Sequence, residues 1–301
     1  MNAVINTVSR PSHLTLMQRH PAIGAEIRGI DLAKSLDAAA VRNLHDLWME
    51  NPLLIFPGQA ITDEQQIEFA RRFGTLEIHP SVAHRSSRHP EVYRVSNVDE
   101  QGRILAPKST AWQYLELTWL WHSDSSFLKI PSMGSILHGI EVAPAGGDTL
   151  FANLYAVWDA LPAVRQRAIE GLRVIHSHDA ILARSSELSA RADKGDYVKL
   201  EAVEHPLVRR HPVTWRRSLF ISPHTMAGIV GWSATESAAL FDELSTFATN
   251  EQFVYRHRWQ ADDVLMWDNR CTMHAVMPYD SANVRRVMHR TTIVGNEAPR
   301  A

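Results

Sequence analysis

In the run Trp121-His122-Ser123-Asp124-Ser125-Ser126-Phe127 an imidazole and a carboxylate stand two residues apart. On an extended strand that spacing points both side chains to one face, where a single metal ion could take both. A third ligand must then come from far along the chain. The run Trp267-Asp268-Asn269-Arg270-Cys271-Thr272-Met273-His274 supplies it, ending a second apolar, strand-like stretch in a histidine. Two imidazoles and one carboxylate bind one face of Fe(II) and leave three positions open for substrate chemistry. In a chain with 16 histidines a His-x-Asp pair is weak by itself, since a solvated or capping histidine is the ordinary case. The surroundings give it weight.

Beyond His274 the run Arg285-Arg286-Val287-Met288-His289-Arg290-Thr291-Thr292-Ile293 reads as a strand. Arg286 and Arg290 are separated by an even number of residues, so both face one side of the sheet. A guanidinium is always charged and pairs with a carboxylate through a planar fork, which suits it to small acidic molecules. The plain alternative is a solvated strand edge whose charges deter aggregation. A metal motif earlier in the same chain weighs against that alternative.

With these residues stand other pieces, in order: Gly24-Ala25-Glu26-Ile27 with Gly29-Ile30-Asp31-Leu32, Leu54-Ile55-Phe56-Pro57-Gly58-Gln59, Phe69-Ala70-Arg71-Arg72-Phe73-Gly74, Gly146-Gly147-Asp148-Thr149 and Trp267-Asp268-Asn269-Arg270. Across nearly the whole chain the series resembles the taurine dioxygenase and 2,4-dichlorophenoxyacetate dioxygenase family of Fe(II)- and 2-oxoglutarate-dependent oxygenases. The His122 segment and Phe253-Val254-Tyr255-Arg256-His257-Arg258-Trp259 are more similar to the aryloxyacetate branch. The resemblance implies a double-stranded β-helix, or jelly-roll, core. It also implies that His122, Asp124 and His274 are the metal triad and catalytic centre. Arg286 and Thr149 would hold the distal carboxylate of 2-oxoglutarate, and Arg290 the acidic group of the primary substrate. Read without the resemblance, Thr149 is an ordinary strand threonine after a glycine turn.

Three departures from the family pattern bear on the substrate. The spacing from His274 to the arginines is one residue longer, an insertion near Asp280 to Asn283 that leaves Arg285 or Arg286 as the inward member, with parity favouring Arg286. His79 matches a substrate contact of the taurine branch, yet the neighbouring Tyr of that branch is Val82 here, and an Asn four residues before the metal histidine is Thr118. The implied activity consumes O2 and 2-oxoglutarate, releases succinate and CO2, and hydroxylates a small anionic substrate. An aryloxyalkanoate, cleaved to a phenol and an oxo acid, leads. A taurine-like alkylsulfonate or an alkyl sulfate, releasing sulfite or sulfate, is the runner-up. Outside this class stand a Zn hydrolase, which needs a base to activate water and finds no obvious one beside His274, and a non-catalytic jelly-roll binding module.

The composition fits an enzyme of this kind. Of 301 residues 45% are hydrophobic, ample for a core, and a net charge of -2 leaves no footprint for nucleic acid. Met1 to His20 is mixed and polar, and nowhere do 18 consecutive apolar residues occur, so a cytoplasmic protein without membrane contact is expected. A single Cys271 excludes an intramolecular disulfide and reads as a buried thiol. The family implies a homo-oligomer, although no surface patch is visible in the sequence.

No repeat or linker divides the chain, so residues 1–301 read as one dioxygenase domain, mainly β with flanking helices. Asp37 opens a helix with Val41, Leu44 and Leu47 on one face, ended by Asn51-Pro52 ahead of the strand Leu53 to Phe56. Thr62-Asp63-Glu64-Gln65 and Ser233-Ala234-Thr235-Glu236 are capping-box patterns ahead of apolar helical stripes. Ser135 to Val142, Ser218 to Ser222 and Asp263 to Trp267 have strand length. Two long polar stretches, 99–118 and 185–204, read as lid loops without structure of their own.

Overall fold

The computed structural model describes residues 14–79, 84–193 and 199–301. Asp37 caps the helix Ala38–Glu50 by accepting from the Ala40 N–H at 2.7 Å, and Leu44, Leu47 and Trp48 form its buried face, with Val41 half-buried at its margin. The Thr62 and Gln65 capping box closes reciprocally at 3.3 and 2.9 Å and starts the helix Asp63–Arg71. Gln66 on that helix is fully buried and donates to the carbonyls of Ile136 and His289 at 3.1 and 3.0 Å, pinning the helix to two neighbouring strands. The Ser233 and Glu236 box likewise starts the helix Ala234–Ala248, which buries Leu240 and Leu244.

Seven strands form the larger sheet in the order Thr15–Gln18, Ala25–Arg28, Leu53–Phe56, Val264–Asp268, Gly134–Glu141, Val287–Ile293, Val92–Arg94. All neighbours run antiparallel except Ala25–Arg28 beside Leu53–Phe56. A smaller antiparallel sheet orders Val254–His257, Thr149–Asn153, Thr272–Val276. Strand alternation divides the large sheet's side chains between two cores. Leu54, Phe56, Ile136, Val264 and Met266 pack under the helices. Leu53, Ile55, Leu137, Leu265 and Trp267 point the other way and meet Phe151 of the small sheet. Burial on both faces explains why these strands are almost continuously apolar. Two largely antiparallel sheets facing one another across an apolar layer, flanked by helices, make the jelly roll that the sequence leads one to expect.

Several local expectations need correction. The stretch 99–118 contains the helix Thr110–Glu116, capped by Ser109, and a 3-10 turn over Leu117–Trp119. The stretch 185–204 begins with the helix Ser186–Asp193, and residues 194–198 lie outside the described residues. Ser218 to Ser222 shortens to the strand Arg217–Leu219, and the arginine strand begins at Val287, after both Arg285 and Arg286. Among the described residues no helix is long and apolar enough to cross a membrane.

Gly134 opens the strand that crosses beneath the future site. A β-carbon there would lie 2.4 and 2.6 Å from ring carbons of Trp48 and 2.8 Å from the Trp267 carbonyl. Gly134→Ala is therefore expected to lower stability by about 1–3 kcal/mol through overpacking. A urea midpoint unchanged from wild type would contradict this packing.

Candidate active site

His122 and His274 are drawn together by the backbone. Each N–H donates to the other's carbonyl, at 2.9 and 2.8 Å, which adds the His122 segment to the edge of the small sheet. The expectation of a strand through 122–124 is corrected here: His122 makes an isolated bridge and the chain then turns, with Ser125 in the left-handed region at φ 54°. The turn still brings the three side chains together. Asp124 Oδ1 lies 3.9 Å from Nε2 of both His122 and His274, all three residues are buried, and one ligand atom from each falls within 4.8 Å of the others.

The surroundings set the charge states that metal binding needs. Burial pushes the imidazoles of His122 and His274 below their ordinary value, so both are neutral, lone-pair-bearing ligands. Burial alone would raise the Asp124 carboxyl. The neighbouring Arg290, His274 and His122, with the Ser135 hydroxyl, outweigh it and keep Asp124 ionised far below the usual carboxylate range. The His122 Nδ1–H points to the Leu120 carbonyl at 2.7 Å, which turns Nε2 toward Asp124. Phe151 stacks on His274, and Trp267 flanks it with ring centroids 4.8 Å apart. Two neutral imidazoles and one anion suit a divalent transition metal with open positions.

The two arginines separate clearly. Arg285 is exposed and forks onto Glu141 at 2.6 and 2.8 Å. Arg286 is 2% exposed, with Nε donating to the Gly147 carbonyl at 3.2 Å and Nη2 lacking any hydrogen-bond partner. A buried guanidinium nitrogen without an acceptor is costly in a protein that binds nothing there, and it fits an anionic ligand. Gly147, at φ +69°, is a cradle as well as a turn, because a β-carbon would meet Arg286 Cδ and Nε at 3.2 Å. Thr149 accepts from Trp259 Nε1 at 3.0 Å and keeps its own proton to donate. Register places Thr149 two residues from Phe151, which pairs with His274, so Thr149 and His274 share a sheet face. Arg290 hydrogen-bonds Asp124 and lies over the Tyr93 ring, 4.9 Å from its centroid. His79 packs against that same ring at 4.4 Å.

Thr118 stands apart, since its hydroxyl donates to the Leu115 carbonyl at 2.7 Å within its own helical turn. Val82 lies outside the described residues. Other residues emerge only in three dimensions. Asn97 donates to the carbonyls of Ser281 and Val284 and accepts from the Arg286 N–H at 2.7 Å, which fixes the one-residue insertion and aims Arg286 inward. Glu77 accepts from Ser125 and is raised by burial. His224 packs edge-on to His122 at 5.2 Å. The sequence signal for such residues is a polar side chain in an apolar run, as at Ser135.

The family model described as "Taurine catabolism dioxygenase TauD, TfdA family" matches residues 14–292. The chain belongs to the TauD/TfdA family of 2-oxoglutarate-dependent dioxygenases. Among relatives of this dioxygenase, the alpha-ketoglutarate-dependent 2,4-dichlorophenoxyacetate dioxygenase of Cupriavidus pinatubonensis is 37% identical over 277 residues, 91% of this chain and 96% of that one. The (S)-phenoxypropionate/alpha-ketoglutarate-dioxygenase of Sphingobium herbicidovorans is 34% identical over 91% of this chain and 93% of that one. The crystal structure of AAD-2 in complex with Mn(II) and N-oxalylglycine superposes with a TM-score of 0.84 at 35% identity, covering 94% of this dioxygenase and 99% of that chain. Fe(II), 2-oxoglutarate and O2 are the cofactor set of the family.

Buried histidines around the dioxygenase site also set its acid stability. Burial, reinforced by Arg290, takes His79 to about 3; burial with Arg94 takes His84 to about 4, and burial takes His205 to about 4. The unfolded chain, with ordinary imidazoles near 6.5, binds more protons over this range. Their stabilisation is thus complete above about pH 6.5 and is lost as pH falls toward 4. The urea midpoint of metal-free protein is expected to drop between pH 7 and pH 5; a flat midpoint would refute the assignment of neutral buried histidines.

Proposed function

We propose that residues 1–301 act as one Fe(II)- and 2-oxoglutarate-dependent dioxygenase domain whose primary substrate is a small aryloxyalkanoate. In this reading His122, Asp124 and His274 hold the iron, while Arg286 and Thr149 hold the distal carboxylate of 2-oxoglutarate. The buried, unpartnered Arg286 Nη2 supports that clamp. Arg290 receives the substrate carboxylate, with His79 bordering the same space through the Tyr93 ring; Thr118, its hydroxyl bonded to the Leu115 carbonyl, is not drawn into it. The relatives named for 2,4-dichlorophenoxyacetate and phenoxypropionate support the substrate class.

The observation that carries the choice of an aryl substrate is the ring lining beside Arg290. Tyr93 lies against His79 and His84 at 4.4 and 5.6 Å, and His84 against Tyr114 at 5.5 Å. A guanidinium for the carboxylate next to aromatic faces for a ring matches an aryloxy acid better than a short alkylsulfonate.

When bound, Fe(II) with 2-oxoglutarate and O2 supplies the oxidising power that inserts one oxygen atom at a C–H bond, with succinate and CO2 as co-products. The chain's own work is placement. Arg290 anchors the carboxylate so that the carbon between it and the ether oxygen is nearest the metal ligands. Hydroxylation there gives a hemiacetal that collapses to a phenol and an oxo acid. Within the stretches 99–118 and 185–204, the described helices Thr110–Glu116 and Ser186–Asp193 are proposed to cover the site and exclude water.

The test is succinate release with Fe(II), 2-oxoglutarate and O2 across aryloxyacetates, aryloxypropionates, taurine, longer alkylsulfonates and alkyl sulfates. Stimulation by an aryloxy acid with equal phenol is expected; sulfite or sulfate release instead would promote the runner-up. Charged hydrogen bonds contribute about 1.5–3 kcal/mol. Arg286→Ala should accordingly raise the KM for 2-oxoglutarate about 10- to 100-fold, and Arg290→Ala the KM for the aryloxy acid by a similar factor. The opposite pattern would exchange the two arginines' roles.

A further inference from the structure

The two oxygens of Asp124 have different surroundings. Oδ1 is the one 3.9 Å from both imidazole Nε2 atoms, and it also accepts from Arg290 Nη1. Oδ2 accepts from the Ser135 hydroxyl at 2.7 Å. The direction of that hydroxyl proton is fixed by residues behind it. An indole N–H can only donate, and Trp267 Nε1 gives its proton to Asn269 Oδ1 at 2.9 Å. The Asn269 amide is thereby oriented, with its oxygen toward Trp267 and the Asp124 N–H and its NH2 toward Ser135 Oγ at 3.0 Å and Ser132 Oγ at 3.1 Å. Ser135 Oγ already accepts from Asn269, so its single proton goes to Asp124 Oδ2. Ser135 and Trp267 are fully buried and Asn269 is 2% exposed, so water does not compete for these contacts.

We propose that Trp267, Asn269 and Ser135 form a hydrogen-bond relay that engages Asp124 Oδ2 and keeps the carboxylate a one-oxygen metal ligand. The inference rests on the metal reading above and deepens it. Two imidazoles and one carboxylate oxygen would hold a divalent ion while leaving room on it for a chelating keto acid. With Oδ2 released, Asp124 would be free to offer both oxygens to a bound ion, in competition with the co-substrate. The relay therefore acts on 2-oxoglutarate binding without touching 2-oxoglutarate. Ser135, Asn269 and Trp267 are positioning residues.

The test uses full-length protein under anaerobic conditions, with Fe(II) affinity measured by titration and 2-oxoglutarate affinity by the visible charge-transfer band of the chelate. In Ser135→Ala, Fe(II) affinity should be equal or higher, while the apparent Kd for 2-oxoglutarate rises about tenfold or more, the scale on which partners of metal ligands act. Ser135→Thr, which restores a hydroxyl, should return the Kd toward wild type. Trp267→Phe keeps Ser135 but frees the Asn269 amide to rotate, so it should weaken 2-oxoglutarate in the same direction by a smaller factor. Urea midpoints of all three variants separate this from misfolding. Unchanged 2-oxoglutarate affinity in a folded Ser135→Ala protein, or Fe(II) and 2-oxoglutarate affinities falling together, would overturn the relay. A wild-type protein that binds no Fe(II) would overturn the metal reading, and the relay with it.

Discussion

Two backbone hydrogen bonds between His122 and His274 hold the arrangement together, because they tie a turn in the first half of the chain to a strand near its end. Neither partner is a long regular element at this point, and the bridge is a single rung at the edge of the small sheet. Its position is nonetheless secured on both sides. Ser123 donates to the Thr272 carbonyl at 2.7 Å and its N–H meets Ser222 Oγ at 3.2 Å. The Ser126, Ser222 and Thr225 hydroxyls then continue into His176 at 2.8 Å, so the turn carrying Asp124 rests on a buried polar lattice. A lattice of this kind specifies one geometry, since any displaced hydroxyl leaves a buried polar partner unsatisfied.

A second buried network stabilises the turn between the strands Val264–Asp268 and Thr272–Val276. Asp268 takes both the Arg270 fork, at 2.8 and 2.7 Å, and His211 Nε2 at 3.0 Å, while its carbonyl accepts from Thr272 Oγ1. Desolvation makes such an ion pair a poor source of net stability. Its effect here is geometric, because it fixes the turn that presents Asn269 to Asp124 and delivers His274 to the sheet edge. The Trp267-Asp268-Asn269-Arg270 run thus has a physical reason for its polar residues, all of which are buried.

Much of this was legible in the residues. Even spacing led one to expect Arg286 on the same side as Arg290, and the structure buries Arg286 while Arg285 pairs outside with Glu141. Yet Arg286 precedes the strand and a register shift falls between Val287 and Met288, so the Asn97 contacts rather than strand parity aim it. Capping boxes at Thr62 and Ser233 located two helices, because a local side-chain hydrogen bond leaves a local pattern. What escaped depends on contacts between distant segments. Ser109 was a readable cap for Thr110–Glu116, yet polar content made that stretch look like loop. Ser135 lies in an apolar strand pattern, and only the pairing of its strand with Val264–Asp268 brings it beside Asn269 and Asp124. Asn97 stands far from the insertion it holds, so no spacing rule connects it to Arg286.

Metal content of protein purified without oxygen decides whether this constellation is an iron site. One Fe(II) per chain after reconstitution, a new visible band when 2-oxoglutarate is added, and loss of both in Asp124→Ala with the fold intact are the expected results. Zinc retained in place of iron with no band, or full Fe(II) occupancy in folded Asp124→Ala, would contradict it.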